Sequence, residues 1–332
     1  MHLNPSRLLA LAFIAPLSLW AADEAKRPRI VGISQVSLLA QDIEKSRAFY
    51  HEFLGFDEAF TLKGADGAVG SVWIKINDRQ TIELLPGRDA GTDRLNHVSL
   101  EVDDAEAMRL YLAAHHVKVP DTTTRGKNGN FHFMVRDPDD HLDEFVQYAT
   151  EGGTRRDQGK FLPATGISAR IPHLGILVGD LEAALSFYRG ILGGAETWRG
   201  GANPNVLTWV NLKLPEGEDY LEFILYETLP APNKRRGTHH LCLEVADIAK
   251  TRTTLLERAA RIGYTRDMEI KTGINRRRQI NLFDPDGTRV EVMEPNTVDG
   301  VPVPSSTAPP PNAGKSVTGD ARATTDPQKK KQ

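Results

Sequence analysis

Four short stretches of the chain repeat one pattern of apolar and polar positions. They are Gln35 to Asp42 (QVSLLAQD), His97 to Asp104 (HVSLEVDD), His173 to Asp180 (HLGILVGD) and His240 to Asp247 (HLCLEVAD). Each opens on an imidazole or amide, continues with alternating apolar residues and closes on an Asp. Self-similarity of this kind defines a fold before any single residue does. Alternation predicts a strand, because residues two apart share a face. In the last copy Leu241, Leu243 and Val245 fall on one face, and His240, Cys242 and Glu244 on the other. The closing Asp is placed to cap a helix. The polar face is either solvent or the inside of a curved sheet.

Downstream of each copy lies a second predicted strand carrying one Glu: TIELL with Glu83, LDEFV with Glu144, YLEFI with Glu222 and RVEVM with Glu291. Three of these Glu residues stand between apolar neighbours, so they point onto the His/Gln face. At Glu144 the flanking Asp143 weakens the pattern. One His or Glu alone reads as ordinary surface polarity. Eight in one repeated register read as two metal sites, which need lone pairs converging from several strands.

Between these strands the sequence DIEKSRAFYHEFLGF predicts a helix capped by Asp42. Ile43, Ser46, Phe49, Tyr50, Phe53 and Leu54 form its largely apolar face, and Gly55 stops it. Strands are expected near Val72–Ile76, Thr81–Leu85 and Phe131–Val135, and a second helix through Met108 and Leu112. The second half repeats this order with small loop insertions, and Asp137-Pro138-Asp139-Asp140 returns as Asp284-Pro285-Asp286-Gly287. The Gly287 position accepts positive φ freely, and Asp140 accepts it at some cost.

The length, 332 residues, suits two domains. A net charge of −3 argues against nucleic acid or an anionic membrane as partner. A single cysteine, Cys242, excludes an intrachain disulfide and a CxxC site. Residues 1–22 read as a signal peptide, with Arg7, an apolar run Leu8 to Trp20 broken by Pro16, and a cleavage point at Ala21-Ala22. An uncleaved anchor is the alternative, and Trp20 fits poorly at the minus-three position. Export to a secreted or periplasmic location is the expectation, with no stable membrane insertion once the signal is removed. The plan is a first domain at 30–150, a Gly- and charge-rich linker at 151–168, a second domain at 169–296, and a Pro-, Thr- and Lys-rich disordered tail at 297–332.

The H-x-x-L-x-V-x-D openings, the FYxxxLG helices (Phe49-Tyr50 to Gly55, Phe187-Tyr188 to Gly193) and the DPDGxxxE ending carry a family resemblance. Over about residues 30 to 295 the chain resembles two tandem domains of the vicinal oxygen chelate superfamily. That group includes glyoxalase I, extradiol dioxygenases, epimerases and bleomycin resistance proteins. The resemblance implies an α+β fold of tandem domains, each two paired βαβββ modules with curled mixed sheets around a metal cleft. It implies a divalent metal (Zn, Ni, Co, Mn or Fe) held by Gln35, Glu83, His97 and Glu144 in one half. His173, Glu222, His240 and Glu291 form the set in the other. In some family members modules of different domains pair, which would set Gln35 and Glu83 against His240 and Glu291.

What the resemblance implies about activity is glyoxalase I-like lyase or isomerase chemistry on a small substrate with two vicinal oxygens. Glu291 or Glu144 would move the proton. Candidate substrate contacts are Arg236, Arg278, His132 and Gln279, drawn partly from the basic runs Lys234 to Arg236 and Arg276 to Arg278. Cys242 is expected as a small packed residue. The family's glutathione positions are not kept: Leu39, Leu177, Gly87 and Tyr226 stand there, and only Arg236 fits. The alternatives are an extradiol-type dioxygenase on His173, His240 and Glu291, and a binding protein without chemistry. Against the former, Met134 and Asn281 stand where the active-site Tyr belongs. A third arrangement has one working half, with Gln35 and Asp143 making the first half the weaker. The protein is expected to be a monomer or homodimer.

Overall fold

A computed structural model describes residues 26–313 except 88, 90 and 236. The signal-peptide expectation lies outside the described residues. The first sheet holds β1 (Ile30–Ala40), β2 (Asp57–Lys63), β3 (Val69–Lys75), β4 (Thr81–Pro86), β5 (Leu95–Val102), β6 (Thr124–Arg125), β7 (Phe131–Arg136) and β8 (Leu142–Gln147). The second holds β9 (His173–Val178), β10 (Ala195–Gly200), β11 (Trp209–Lys213), β12 (Tyr220–Leu225), β13 (His240–Glu244), β14 (Lys271–Thr272), β15 (Arg277–Phe283) and β16 (Arg289–Thr297). Their orders are β2-β3-β4-β1-β5-β8-β7-β6 and β10-β11-β12-β9-β13-β16-β15-β14. Each curls into a half-barrel.

This order brings the polar positions together. The opening strands of two modules pair antiparallel at the centre, β1 with β5 and β9 with β13. Each is flanked by the parallel closing strand of its own module: β4, β8, β12 and β16. The parallel register sets Ser37 opposite Glu83, Ser99 opposite Glu144, Gly175 opposite Glu222 and Cys242 opposite Glu291. Modules therefore pair within a domain, and the cross-domain arrangement is not the one formed.

The other sheet face packs on helices. Asp42, Asp104, Asp180 and Asp247 each cap one, their carboxylates accepting from backbone N–H groups of the first turn. Such caps contribute about 1 kcal/mol each. The helices are α1 (Ile43–Arg47), α2 (Ala105–Ala114), α3 (Gly153–Arg156), α4 (Leu181–Leu185) and α5 (Ile248–Ile262). After α1 and α4 the chain widens into π-helical turns, Ala48–Phe53 and Ser186–Ile191. A continuous α-helix was the expectation there. The wider turn keeps Phe49, Tyr50 and Phe53 all buried. Gly55 and Gly193 end these segments at φ of 82° and 79°. Among the described residues no helix is long and apolar enough to cross a membrane.

The two halves clasp each other with matching parts. Tyr50 donates to Asp284 Oδ2 (3.3 Å), and Tyr188 to Asp137 Oδ2 (3.1 Å) and Asp143 Oδ2 (2.9 Å). The Gln41 and Gly179 amides donate to Asp286 and Asp139 at 3.0 and 3.1 Å. Asp140 adopts φ of 71°, as Gly287 does at 84°.

The segment 151–168 is held in place: Lys75 Nζ donates to the Asp157 and Lys160 carbonyls at 2.7 and 2.6 Å. The tail is not wholly disordered, contrary to what its composition suggested. Residues 298–313 dock on the second domain rather than hanging free. Ser306 N donates to Arg199 O, Leu207 N to Pro309 O, and Asn312 Nδ2 to Gly179 O. The reason is the outer edge of β10, whose backbone groups an extended segment can pair. Residues 314–332 lie outside the described residues.

Candidate metal centres

All eight ligand candidates lie on the concave faces, buried. In the first domain Gln35 Nε2 lies 2.9 Å from Glu83 Oε2 and 3.2 Å from His97 Nε2. His97 Nε2 is 3.5 Å from Glu144 Oε2 and 3.9 Å from Glu83 Oε2. Ser37 donates to Glu83 at 2.8 Å. His132 Nδ1 reaches Glu144 Oε1 at 2.7 Å. Burial pushes the Glu83 carboxyl up. It would do the same to Glu144, but His132 and His97 outweigh it and hold that carboxyl well below its usual range. Contact with Glu144 raises His132 in return.

In the second domain the imidazoles face each other, His173 Nε2 to His240 Nε2 at 3.2 Å. His173 Nε2 is 3.1 Å from Glu291 Oε2, and His240 Nε2 is 3.6 Å from Glu222 Oε1 and 3.8 Å from Glu291 Oε2. Glu291 is held low, His173 overcoming its burial. Burial raises Glu222. Burial first, then Arg289, pushes His240 well down, so its ring is neutral, the form that binds metal. Gly175 makes room for that ring: a Cβ there would stand 2.0 Å from His240 Cε1. Cys242 Sγ belongs to the same cluster, within 4.8 Å of ligand atoms of His173 and Glu291. Its thiol is pushed well up by burial.

The donor set fits a divalent metal. Ligand atoms about 2.0–2.2 Å from one ion stand roughly 3–4 Å from one another, and the His173–His240, His173–Glu291, His240–Glu222 and His240–Glu291 separations of the second domain fall in that range. The facing His173 and His240 Nε2 atoms, 3.2 Å apart beside two carboxylates, converge on one point where a divalent cation would be held. His173, Glu222 and His240 present ligand atoms all within 4.8 Å.

Each centre opens into a cleft. The first is 340 Å³, walled by Leu62, Trp73 and Met134 with Asn96, Lys127 and His132. The second is 240 Å³, walled by Trp198 and Trp209 with Lys271, Gln279 and Arg289. His132 and Gln279 thus line the clefts for which they were proposed. Arg278 does not. Strand alternation turns it to the opposite face, where it is bound by Glu294 at 2.8 and 2.6 Å. Arg236 lies outside the described residues. Lys234 is exposed and Arg235 turns to Asp93 and the Pro230 carbonyl. Arg289 and the Trp walls were missed. The period-two rule could have found Arg289, two residues before Glu291.

The profile of the Glyoxalase/Bleomycin resistance protein/Dioxygenase superfamily matches residues 32–145 and 170–292. An ethylmalonyl-CoA/methylmalonyl-CoA epimerase from Cereibacter sphaeroides is 37% identical over 99 residues, covering 28% of this chain and 73% of its own. Among solved structures, an extradiol ring-cleaving dioxygenase from B. fuscum superposes with a TM-score of 0.62 at 16% identity, covering 85% of this chain and 76% of that one. The 2,3-dioxygenase LapB from Pseudomonas sp. KL28 gives 0.60 at 17%, covering 83% and 96%. A Mn(II)-bound glyoxalase from Novosphingobium aromaticivorans gives 0.59 at 17%, covering 80% and 83%. At these identities the structural likeness establishes the fold.

Proposed function

From a chain that belongs to the Glyoxalase/Bleomycin resistance protein/Dioxygenase superfamily, we propose a divalent-metal-dependent enzyme with glyoxalase I-like lyase or isomerase chemistry. Its substrate is small and carries two vicinal oxygens. The observation that carries this reading is the convergence of His173, Glu222, His240 and Glu291, of which Glu222 and Glu291 line a cleft. When bound, the metal would supply Lewis-acid polarisation of the substrate oxygens.

The proton carrier is a carboxylate of the same cluster. Glu144 is held by His132 and His97, and Glu291 by His173. Glu83 accepts from Gln35 and Ser37. Glu222 accepts no hydrogen bond among the described residues, so it is the carboxylate best placed to take and return a proton. This moves the expected role from Glu291 and Glu144 to Glu222.

The test is metal content per chain, followed by solvent-deuterium incorporation into methylglyoxal-type α-carbonyl probes. Two equivalents of Mn, Co, Ni, Zn or Fe are expected in the wild type, and one in His240→Ala. Glu222→Gln should keep its metal and lose exchange. A chain that takes up none of these ions would be a binding protein, and the lyase reading would fall.

A ring-cleaving reading is favoured by one feature: His173 Nε2 lies within 3.2 Å of both His240 Nε2 and Glu291 Oε2, giving two imidazoles and one carboxylate. Iron-loaded protein with catechol under air separates the two, since only this reading yields a ring-opened product. Export is proposed from residues 1–22, with N-terminal sequencing of the mature chain as its check.

A further inference from the structure

The two clefts differ by one half-buried cation. Arg289 stands two residues before Glu291 on β16, directly beside His240 in the strand register. Its guanidinium lies against the metal-facing imidazole, Nη2 at 2.6 Å from His240 Nδ1 and 3.4 Å from Nε2. It forms no ion pair among the described residues, and its Nε is buried without a partner. The equivalent place in the first domain is Leu142.

The contact with His240 conflicts with metal binding. His240 Nδ1 also lies 2.9 Å from the Thr238 carbonyl. A ring that donates Nδ1–H to Thr238 leaves Nε2 free for a metal, the usual arrangement of a metal-bound histidine. A ring that accepts from Arg289 at Nδ1 carries its proton on Nε2 instead. Only one of these holds at a time. A metal held by Nε2 would leave Nδ1 to Thr238 and free the Arg289 fork for the cleft it lines.

Charge then selects the ligand. Two glutamates would balance a divalent ion in either cleft, and Arg289 adds one positive charge in the second. Two cations this close repel unless an anion lies between them. We propose that the second cleft binds a small carboxylate with a second oxygen on the neighbouring carbon, its carboxylate paired to Arg289. The planar fork suits a carboxylate, and the 240 Å³ cleft suits a small one. This rests on the metal-dependent reading above.

The probe is oxalate, titrated by calorimetry into the full chain loaded with Mn2+. Arg289→Gln should weaken oxalate at one of the two sites by about tenfold or more, while Mn2+ binds more tightly because a neighbouring cation is gone. The first-domain site serves as the internal reference. Arg289→Lys, which keeps charge without the fork, should fall between. Oxalate binding unchanged at both sites would overturn the proposal, as would parallel loss of oxalate and Mn2+, the mark of a merely damaged fold. A wild-type chain that binds no Mn2+ would remove the metal reading itself, and this proposal with it.

Discussion

At the scale of single residues, the candidate ligands Glu83 and Glu222 differ in what stands across the parallel strand pair. Ser37 donates to Glu83, while Gly175 offers Glu222 nothing. A donor to a ligand carboxylate orients it, and its removal typically costs about 10–100-fold in metal affinity. Ser37→Ala should therefore weaken metal binding in the first domain by at least tenfold, read by competition with a chelator, with Ser37→Thr recovering most of it. Unchanged affinity would mean that Gln35 alone fixes Glu83. The ligand candidates themselves were legible because period two put His or Gln and Glu on one face. Their partners were not, since a register of pairing between strands is absent from either strand's own pattern.

At the scale of elements, the strands and caps follow from alternation and from the four Asp residues, and they form where expected. The π-helical turns did not show, because an i+3/i+4 apolar face and a one-residue insertion have nearly the same spacing over two turns. The close crossing of β9 and β13 is likewise written only as a glycine within a strand, which signals close approach of something unnamed. That something is the His240 ring. Gly175→Ala should push it from its place and lower second-domain metal affinity by about tenfold or more. Chelator competition, with the first-domain site as reference, checks this. Retained affinity would show that β9 and β13 can part without loss.

At the scale of the whole molecule, the residues that looked irregular turn out to face the other half. Asp143, which broke the apolar pattern beside Glu144, is buried against Tyr188, and its carboxyl is pushed well up by burial and by Asp137. Tyr50 and Asp284 make the matching contact, and burial raises Asp284 to about 6. The sign follows. Below the ordinary value of 3.8 both folded and unfolded chains carry the proton. Between 3.8 and about 6 only the folded chain keeps it, so stability falls as pH rises through that window. About 2–3 kcal/mol should be lost between pH 4 and 7 in wild type relative to Asp284→Asn, whose amide keeps the turn without titrating. Parallel pH profiles for the two chains, from denaturant unfolding, would show that the contact is solvated instead.

The docked segment after β16 has a consequence for how molecules of this protein behave in company. By occupying the Arg199 backbone N–H and carbonyl, residues 305 and 306 cover part of the β10 rim of the second sheet that a neighbour could otherwise pair with. A chain shortened to residue 297 would fold the same clefts yet present an open ladder, and its concentrated solutions would grow turbid where those of the intact protein stay clear.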